Sequence, residues 1–304
     1  MVSGGIRLPL FLSRAALRVS ALSLALAVAV PVAAATGAEA APKPNAVEEH
    51  FRSAGPWVVA TTDVTVADGL TYRISHPRDL GRDGFHHPIL IWGNGSNATP
   101  GLYNGVFRQL ASWGFVIIGS SDKQQADGHS MLAALKWMVA ANLDPAGKFF
   151  GVLNPTEIGV LGHSQGAGGA VNAANHSGGL VDTAVPINLP DRRYVESKGT
   201  FSVADLPTPT LFLGGGTDGL ISTPGGLRSY YQRVPRAALG ILRGADHLAI
   251  QRAGGGYLGY LTAWMMWQLQ NDAYAGSAFL GPDRKDTEFR RNTKWQNQQE
   301  KGLN

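Results

Sequence analysis

Short, unbroken runs of apolar residues alternate along this chain with longer stretches of helical periodicity. Strand-length runs without polar alternation are typical of strands buried on both faces, as in a parallel sheet covered by helices. Two earlier segments, residues 57–66 and 70–75, are rich in β-branched and aromatic residues and predict an antiparallel hairpin. The six unbroken runs are residues 88–92, 115–118, 157–161, 183–187, 208–213 and 239–242.

The segments between these runs complete the prediction of the fold class. Residues 130–141 and 257–269 carry apolar side chains at helical spacing, which is typical of helices packed on a core. The order of elements predicts an α/β fold with a mostly parallel, eight-stranded sheet flanked by helices. Residues 183–206 hold no obvious large lid insertion, and we expect a single domain over residues 41–304.

The first forty residues differ from the rest of the chain. Three arginines precede an apolar run at residues 21–30, and alanine-rich sites follow it. This pattern predicts a secretory signal peptide over residues 1–40, cleaved after Ala35 or Ala40, and therefore a secreted protein, extracellular or periplasmic. A membrane anchor is the alternative, but Pro31 interrupts the run, which is shorter than the roughly 20 residues of a spanning helix.

The other end of the chain is polar from about residue 271. Residues 290–304 carry glutamines and lysines around a single tryptophan, Trp295. We expect this tail to form a surface helix pinned by that tryptophan, or to be partly disordered.

Composition narrows the possible functions. The chain has no cysteine, which excludes disulfides and thiolate chemistry. Its formal charge of +4 falls to +2 on cleavage after Ala40, with 23 basic and 21 acidic residues, so nucleic acid is not an expected partner. Asp83, His86 and His87 suggest metal ligands, but adjacent histidines lack the one-face spacing of a helical zinc site. A surface loop is the better interpretation, and no metal or cofactor is expected.

The candidate nucleophile is Ser164. It lies in Gly162-His163-Ser164-Gln165-Gly166, directly after an apolar run and before a string of small residues. In a strand-turn-helix context, G-x-S-x-G forms a tight turn that lifts the serine hydroxyl above the sheet. A turn with a helix-capping serine would use similar residues, so the motif alone is only moderately specific.

The remaining members of a catalytic triad follow in the expected order. His247 is the only histidine beyond residue 176, and it follows the last predicted strand. Asp218 stands in the glycine-rich loop after the preceding strand, where it could orient His247 and stabilise the imidazolium. Asp246 is a competitor, but a sequence neighbour cannot easily face its own histidine ring. Asp191 is a weaker competitor, because it lies one strand too early.

Two backbone N–H groups are candidates for the oxyanion hole. The first belongs to Gln165, at the start of the helix that follows the nucleophile. The second should come from the loop after the first long parallel strand, where we favour Asn94, with Gly95 as second choice. Glycine and asparagine are also ordinary residues in a β-to-helix turn, so this loop carries little weight by itself.

These motifs give the chain a family resemblance over residues 89–269. Besides the serine motif, residues 109–118, Thr217-Asp218-Gly219-Leu220 and Gly244-Ala245-Asp246-His247 resemble corresponding segments of the α/β-hydrolases. Within that superfamily the chain resembles exported cutinase-like polyester hydrolases, related lipases and chlorophyllase-like esterases. The resemblance implies the α/β-hydrolase fold and the triad of Ser164, Asp218 and His247.

The resemblance also implies a substrate-binding set. It places Leu189, Pro190 and Leu220 where that family lines its acyl or aromatic subsite, and Gly95 and Ser96 lie in the oxyanion loop. The chain departs from polyester hydrolases, which usually carry an aromatic residue at the position of Asn94, a methionine at that of Gln165, a tryptophan at that of Pro190 and a C-terminal disulfide. Each departure makes the cleft more polar and less aromatic.

The resulting functional prediction is a monomeric, cofactor-free serine hydrolase. It should cleave small-molecule or polymeric carboxylic esters through an acyl-enzyme, as an esterase, lipase or cutinase-like enzyme, with no membrane anchor after signal cleavage. A peptidase or another acyl hydrolase would use the same triad. A non-catalytic binding protein on a hydrolase scaffold is the alternative from a different class.

Overall fold

The computed structural model describes residues 44–67, 69–195, 199–281 and 286–303. The predicted signal peptide, residues 1–40, lies outside the described residues. Within the described ranges, no helix combines the length and the apolar character that crossing a membrane requires.

A single nine-stranded sheet lies at the centre of the fold, in the order β1-β2-β4-β3-β5-β6-β7-β8-β9. Strands β3 to β8 are parallel, whereas β1 and β2 form an antiparallel hairpin at one edge and β9 runs antiparallel to β8 at the other. The predicted α/β-hydrolase fold and its opening hairpin are confirmed, with one strand more than expected. The strands are β1 Val59–Thr65, β2 Thr71–Pro77, β3 His87–Gly93, β4 Val116–Ser120, β5 Leu153–His163, β6 Thr183–Ile187, β7 Thr210–Gly215, β8 Ala237–Leu242 and β9 Trp295–Lys301.

Burial on both faces explains the unbroken apolar runs. In β3, Leu90 and Trp92 belong to the core on one side of the sheet, and Ile89 and Ile91 to the core on the other. All four side chains are fully buried. Successive side chains of a strand point to opposite faces, so a strand between two layers of helices needs apolar residues at every position.

Helices cover both faces of the sheet. The core on one side contains residues of α1, α2 and α6, and the core on the other contains residues of α3, α4 and α5. The helices predicted over residues 130–141 and 257–269 are confirmed by α3 and α6. The helices are α1 Ala46–Arg52, α2 Asn104–Ser112, α3 His129–Ala141, α4 Gln165–His176, α5 Pro224–Tyr231, α6 Leu258–Gln270, α7 Ala273–Gly276 and α8 Glu288–Arg291.

The ninth strand corrects the expectation for the C-terminal tail. Residues Trp295–Lys301 pair with β8, with Trp295 opposite Leu242, so a surface helix is wrong for this segment. An edge strand takes its backbone hydrogen bonds from one neighbour and leaves its other side to solvent, so polar side chains suit it. Trp295 is 1 % exposed and anchors the strand. The expectation that this tryptophan pins the segment therefore agrees with the structure, although the segment is not a helix.

The beginning and the end of the described chain are joined by a cluster that we call the terminal clamp. It consists of the buried Glu48, Asn292 and Trp295 and the half-buried Glu288. The Glu288 carboxylate accepts the backbone N–H groups of Val47 and Glu48, at 2.8 and 2.9 Å. The Glu48 carboxylate in turn accepts hydrogen bonds from Trp295 Nε1 at 2.9 Å and Asn292 Nδ2 at 2.8 Å. The clamp therefore docks α1 against the last elements of the chain.

Candidate active site

Ser164 occupies a sharp turn between a strand and a helix. Strand β5 ends at His163 and α4 begins at Gln165, and Ser164 between them has φ 55° and ψ −121°. A positive φ is uncommon in a residue with a side chain and stores strain of about 1–3 kcal/mol. The surrounding fold maintains this turn, which places the hydroxyl at the carboxyl edge of the parallel strands.

The glycines on either side of Ser164 are required by close backbone packing. A Cβ atom at Gly162 would lie 2.2 Å from the carbonyl oxygen of Gly166. A Cβ atom at Gly166 would lie 2.2 Å from the carbonyl carbon of Gly93 in β3. Any larger residue would displace α4 from the sheet, so the G-x-S-x-G pattern has a structural cause here.

The structure brings Ser164, His247 and Asp218 into one chain of hydrogen bonds. His247 Nε2 lies 2.8 Å from Ser164 Oγ, and His247 Nδ1 lies 2.5 Å from Asp218 Oδ2. The other oxygen of Asp218 accepts the N–H groups of Ile221 and Ser222, at 3.1 and 3.2 Å. Because an ionised carboxylate only accepts, Nδ1 carries the ring proton and Nε2 is free to accept from the serine hydroxyl.

The two competing carboxylates point elsewhere. Asp246 Oδ1 accepts the backbone N–H of Leu248, and Asp246 is exposed. Asp191 Oδ2 accepts the hydroxyl of Thr223 at 2.9 Å. Of the three candidates, Asp218 is the one that contacts the imidazole, and its side chain is only 2 % exposed.

A second histidine, which sequence reasoning missed, lies against the triad. His163 is buried, its Nε2 lies 2.7 Å from the backbone oxygen of His247, and its Nδ1 lies 3.0 Å from the hydroxyl of Tyr103. Burial, and secondarily the neighbouring His247, lowers the pKa of His163 to about 3. His163 is therefore neutral at physiological pH. Its position directly before Ser164 in the sequence was the signal that could have placed it at the site.

The loop after β3 corrects the prediction for the oxyanion hole. The N–H of Asn94 donates to Gln125 Oε1 at 2.9 Å, so Asn94 is wrong as an oxyanion donor. The N–H of Gly95 donates to the Tyr103 hydroxyl at 3.0 Å and is occupied as well. In the described part of the chain, the Ser96 N–H donates no hydrogen bond to another residue. Gln165, in the first turn of α4, has an N–H outside the intrahelical pattern.

Ser164 and His247 open into a cavity of about 580 Å³. One part of its wall is polar and is formed by the loops after β3 and β4 and by the turn at Ser164, with Ser96, Gln124 and Gln165. Another part is largely apolar and comes from the segment after β6. The lining residues are Ser96, Gln124, Ala126, Asp127, Ser164, Gln165, Gly168, Pro190, Tyr194, Val195, Gly199, Phe201, Ile221 and His247.

Only some of the predicted substrate-binding residues line the cavity. Ser96 and Pro190 line the cavity, whereas Gly95 lies behind that wall, against Tyr103 and His163. Leu189 is wrong as a cleft residue, because it is fully buried in the core. Leu220 is 62 % exposed and does not belong to the lining of this cavity.

The loop after β4 went unrecognised as part of the cavity, and the segment after β6 was recognised only at Pro190. Gln124, Ala126 and Asp127 follow β4, while Tyr194 and Phe201 belong to the segment after β6. A usable signal existed, because loops that follow parallel strands gather at the carboxyl edge of the sheet, where ligands bind. Between β6 and β7 lie short 3₁₀ turns at Arg192–Tyr194 and Val203–Asp205, and residues 196–198 lie outside the described part.

The alternative of a metal site near His86 and His87 finds no support in the arrangement of those residues. His86 is exposed, but His87 is buried, so a surface loop is the wrong interpretation for His87. Its Nδ1 lies 2.7 Å from the oxygen of Gly114, and its Nε2 accepts the N–H of Gly81 at 3.1 Å. Among the described residues, no group of three or more potential ligands could hold a metal ion.

Comparison with known protein families identifies the family of this chain. A family model described as PET hydrolase-like matches residues 32–298, which include every strand except the last few residues of β9. The match covers Ser164, Asp218 and His247 together with all the loops that line the cavity. The chain therefore belongs to the PET hydrolase-like family, a cutinase-like family of α/β-hydrolases whose members are ester hydrolases.

Proposed function

We propose that the protein is a secreted serine hydrolase that cleaves carboxylic esters with Ser164, His247 and Asp218. The observation that carries the proposal is the continuous chain of hydrogen bonds from Ser164 Oγ through His247 to the buried Asp218. A serine hydroxyl needs an adjacent base to become a nucleophile, and the base needs a partner that fixes its tautomer. A binding protein on an inactive scaffold would have no need of this arrangement.

The proposed reaction has two steps. In the first, Ser164 Oγ attacks the ester carbonyl while His247 Nε2 takes the hydroxyl proton, and the imidazolium then returns that proton to the leaving alcohol. In the second, His247 takes a proton from water, the resulting nucleophile attacks the acyl-enzyme, and the carboxylic acid leaves as Ser164 regains its proton. Asp218 stabilises the imidazolium in both steps.

We assign the oxyanion hole to the backbone N–H groups of Gln165 and Ser96. Both residues line the cavity beside Ser164. Gln165 supports this role because the first N–H groups of a helix lack intrahelical acceptors and point toward developing negative charge. Ser96 replaces Asn94 as the proposed second donor, because the N–H groups of Asn94 and Gly95 already have acceptors.

The cavity supports an ester with one compact apolar group. Its volume of about 580 Å³ lies within the range of small-molecule sites. Pro190, Tyr194, Val195 and Phe201 provide apolar surface for an acyl or aromatic unit. The family description names the hydrolysis of an aromatic polyester, so a polymer with aromatic units is a second substrate to test. Export through the predicted signal peptide remains part of this proposal, and N-terminal sequencing of protein recovered from the medium would test it.

The first experiment is hydrolysis of p-nitrophenyl esters from acetate to palmitate by residues 41–304. We compare the wild type with Ser164→Ala and His247→Ala. Ser177→Ala is the matched control, because Ser177 lies at the other end of α4, where its hydroxyl donates to the carbonyl of Ala174 and accepts the N–H of Val181, away from the site. Circular dichroism establishes that each variant is folded.

The proposal requires that Ser164→Ala and His247→Ala reduce kcat by at least about 10³-fold, while Ser177→Ala stays within twofold of the wild type. The chain-length optimum then separates an esterase from a lipase. A wild type without activity toward any ester, or a folded Ser164→Ala variant with full activity, would overturn the proposal.

A further inference from the structure

His163 is a buried histidine that contacts the active site but has no role in the proposed reaction. The backbone oxygen of His247 lies 2.7 Å from His163 Nε2 and 2.8 Å from Asn188 Nδ2. A carbonyl oxygen can only accept, so His163 Nε2 carries the ring proton and donates it. Since the ring is neutral, its Nδ1 must be an acceptor. The main chain of the catalytic base is therefore held by two buried donors.

The other side of the His163 ring connects to the oxyanion loop. His163 Nδ1 accepts from the hydroxyl of Tyr103, at 3.0 Å, and the Tyr103 oxygen accepts the backbone N–H of Gly95, also at 3.0 Å. Gly95 precedes Ser96 in the same loop. A Cβ atom at Gly95 would lie 3.0 Å from His163 Nδ1 and 3.1 Å from the Tyr103 oxygen, so the loop packs directly on this pair.

These contacts form one relay with a fixed direction: from the Gly95 N–H through Tyr103 and His163 to the carbonyl of His247. Tyr103 and His163 are both buried, and in this arrangement each donates its single proton within the relay. Gln251 is a further hydrogen-bond partner of the Tyr103 oxygen. The relay joins three elements that catalysis must keep in register, namely the oxyanion loop, the turn at Ser164 and the loop of His247. Loss of the Tyr103 hydroxyl removes the partner of two groups, the Gly95 N–H and His163 Nδ1.

We propose that His163 and Tyr103 are positioning residues, which hold the Ser96 N–H and the His247 imidazole in their places relative to Ser164. The inference rests on the proposed esterase function, since positioning has meaning only if these groups act together. Neither residue touches the substrate. Small displacements of catalytic groups lower the rate of the chemical step more than the affinity for substrate, so the effect belongs in kcat.

The first test is Tyr103→Phe. It removes the hydroxyl from the relay and keeps the ring, whose centroid lies 4.7 Å from that of Trp92 in the core. The matched control is Tyr260→Phe: this residue is equally buried, and its hydroxyl donates to Glu288 at 3.2 Å and accepts from Asn292 at 2.9 Å. Tyr260 belongs to the surroundings of the terminal clamp and not to the site.

The second test separates positioning from packing at His163 itself. A glutamine can present an N–H to the His247 carbonyl and an oxygen to Tyr103, whereas a leucine of similar volume can do neither. We compare His163→Gln with His163→Leu, using kcat and KM for p-nitrophenyl butyrate and the thermal midpoint of unfolding. The glutamine variant keeps the test valid if the leucine variant does not fold.

We expect Tyr103→Phe to lower kcat by about 10- to 100-fold with KM within twofold, while Tyr260→Phe loses thermal stability and keeps its kcat. His163→Gln should retain at least tenfold more activity than His163→Leu. Equal activity of Tyr103→Phe and the wild type, or an equal loss of kcat in Tyr260→Phe, overturns the inference. Ser164→Ala distinguishes the two levels: if it is inactive while Tyr103→Phe is unaffected, only the positioning role fails.

Discussion

Acidification should destabilise this protein through His163. The ring is buried and neutral, with its pKa lowered to about 3, whereas an unfolded histidine has a pKa of about 6.5. Between these values the unfolded chain binds a proton that the folded chain excludes. The stabilisation is therefore complete above about pH 6.5 and is lost progressively as the pH falls toward 3.

The magnitude follows from the two pKa values. At pH 8 both states are neutral at this site, and the free energy of unfolding is unaffected. At pH 5 the protonation of the unfolded state alone lowers the free energy of unfolding by about 2 kcal/mol. This is a large part of the stability of a typical domain, which is about 5–15 kcal/mol.

The assay is urea unfolding at pH 8 and pH 5 for the wild type and for His163→Gln, which cannot titrate. The pKa values of His76 and His87 are also lowered, mainly by burial, but both residues are present in the two proteins and their effects cancel. The wild type should lose about 2 kcal/mol more than the variant between the two pH values. Equal losses would refute the assignment of His163 as a buried neutral group.

Two further substitutions test the site and its scaffold. Asp218→Asn should lower kcat for p-nitrophenyl butyrate by about 10⁴-fold with little change in KM, because the amide no longer fixes the proton of His247 on Nδ1. A loss of kcat below tenfold in a folded variant would contradict this role. Gly166→Ala should destabilise the protein by about 3 kcal/mol or more, because its Cβ would collide with Gly93. Gly225→Ala is the control, because its Cβ would have 4.0 Å of clearance, and it should not destabilise the protein. Equal thermal midpoints of the two variants would contradict the packing argument.

The parts of the fold that sequence reasoning predicted are those with local causes. Each buried strand is a continuous apolar run, because both of its faces meet helices. The turn at Ser164 could also be recognised locally, because two glycines and a serine stand between a predicted strand and a predicted helix. Strand β9 escaped prediction because an edge strand with polar side chains resembles a solvated tail, and only its pairing with β8 reveals it.

The oxyanion loop shows what a local pattern cannot supply. Asn94 has the right position in the sequence, directly after β3, but its N–H is taken by the side chain of Gln125, 31 residues farther along the chain. Gly95 is excluded in the same way by Tyr103. The choice of Ser96 depends on which amides remain unpaired after folding. That outcome follows from long-range contacts, and residue types within the loop do not encode it.

The terminal clamp has a consequence for the order of events in folding. The carboxylate that accepts the first N–H groups of α1, on Glu288, lies 241 residues later in the sequence than Val47. Contacts of such high sequence separation form slowly, because the loop between them must first close. We therefore expect α1 to dock on the clamp late in folding, after the sheet encoded between these two segments has formed.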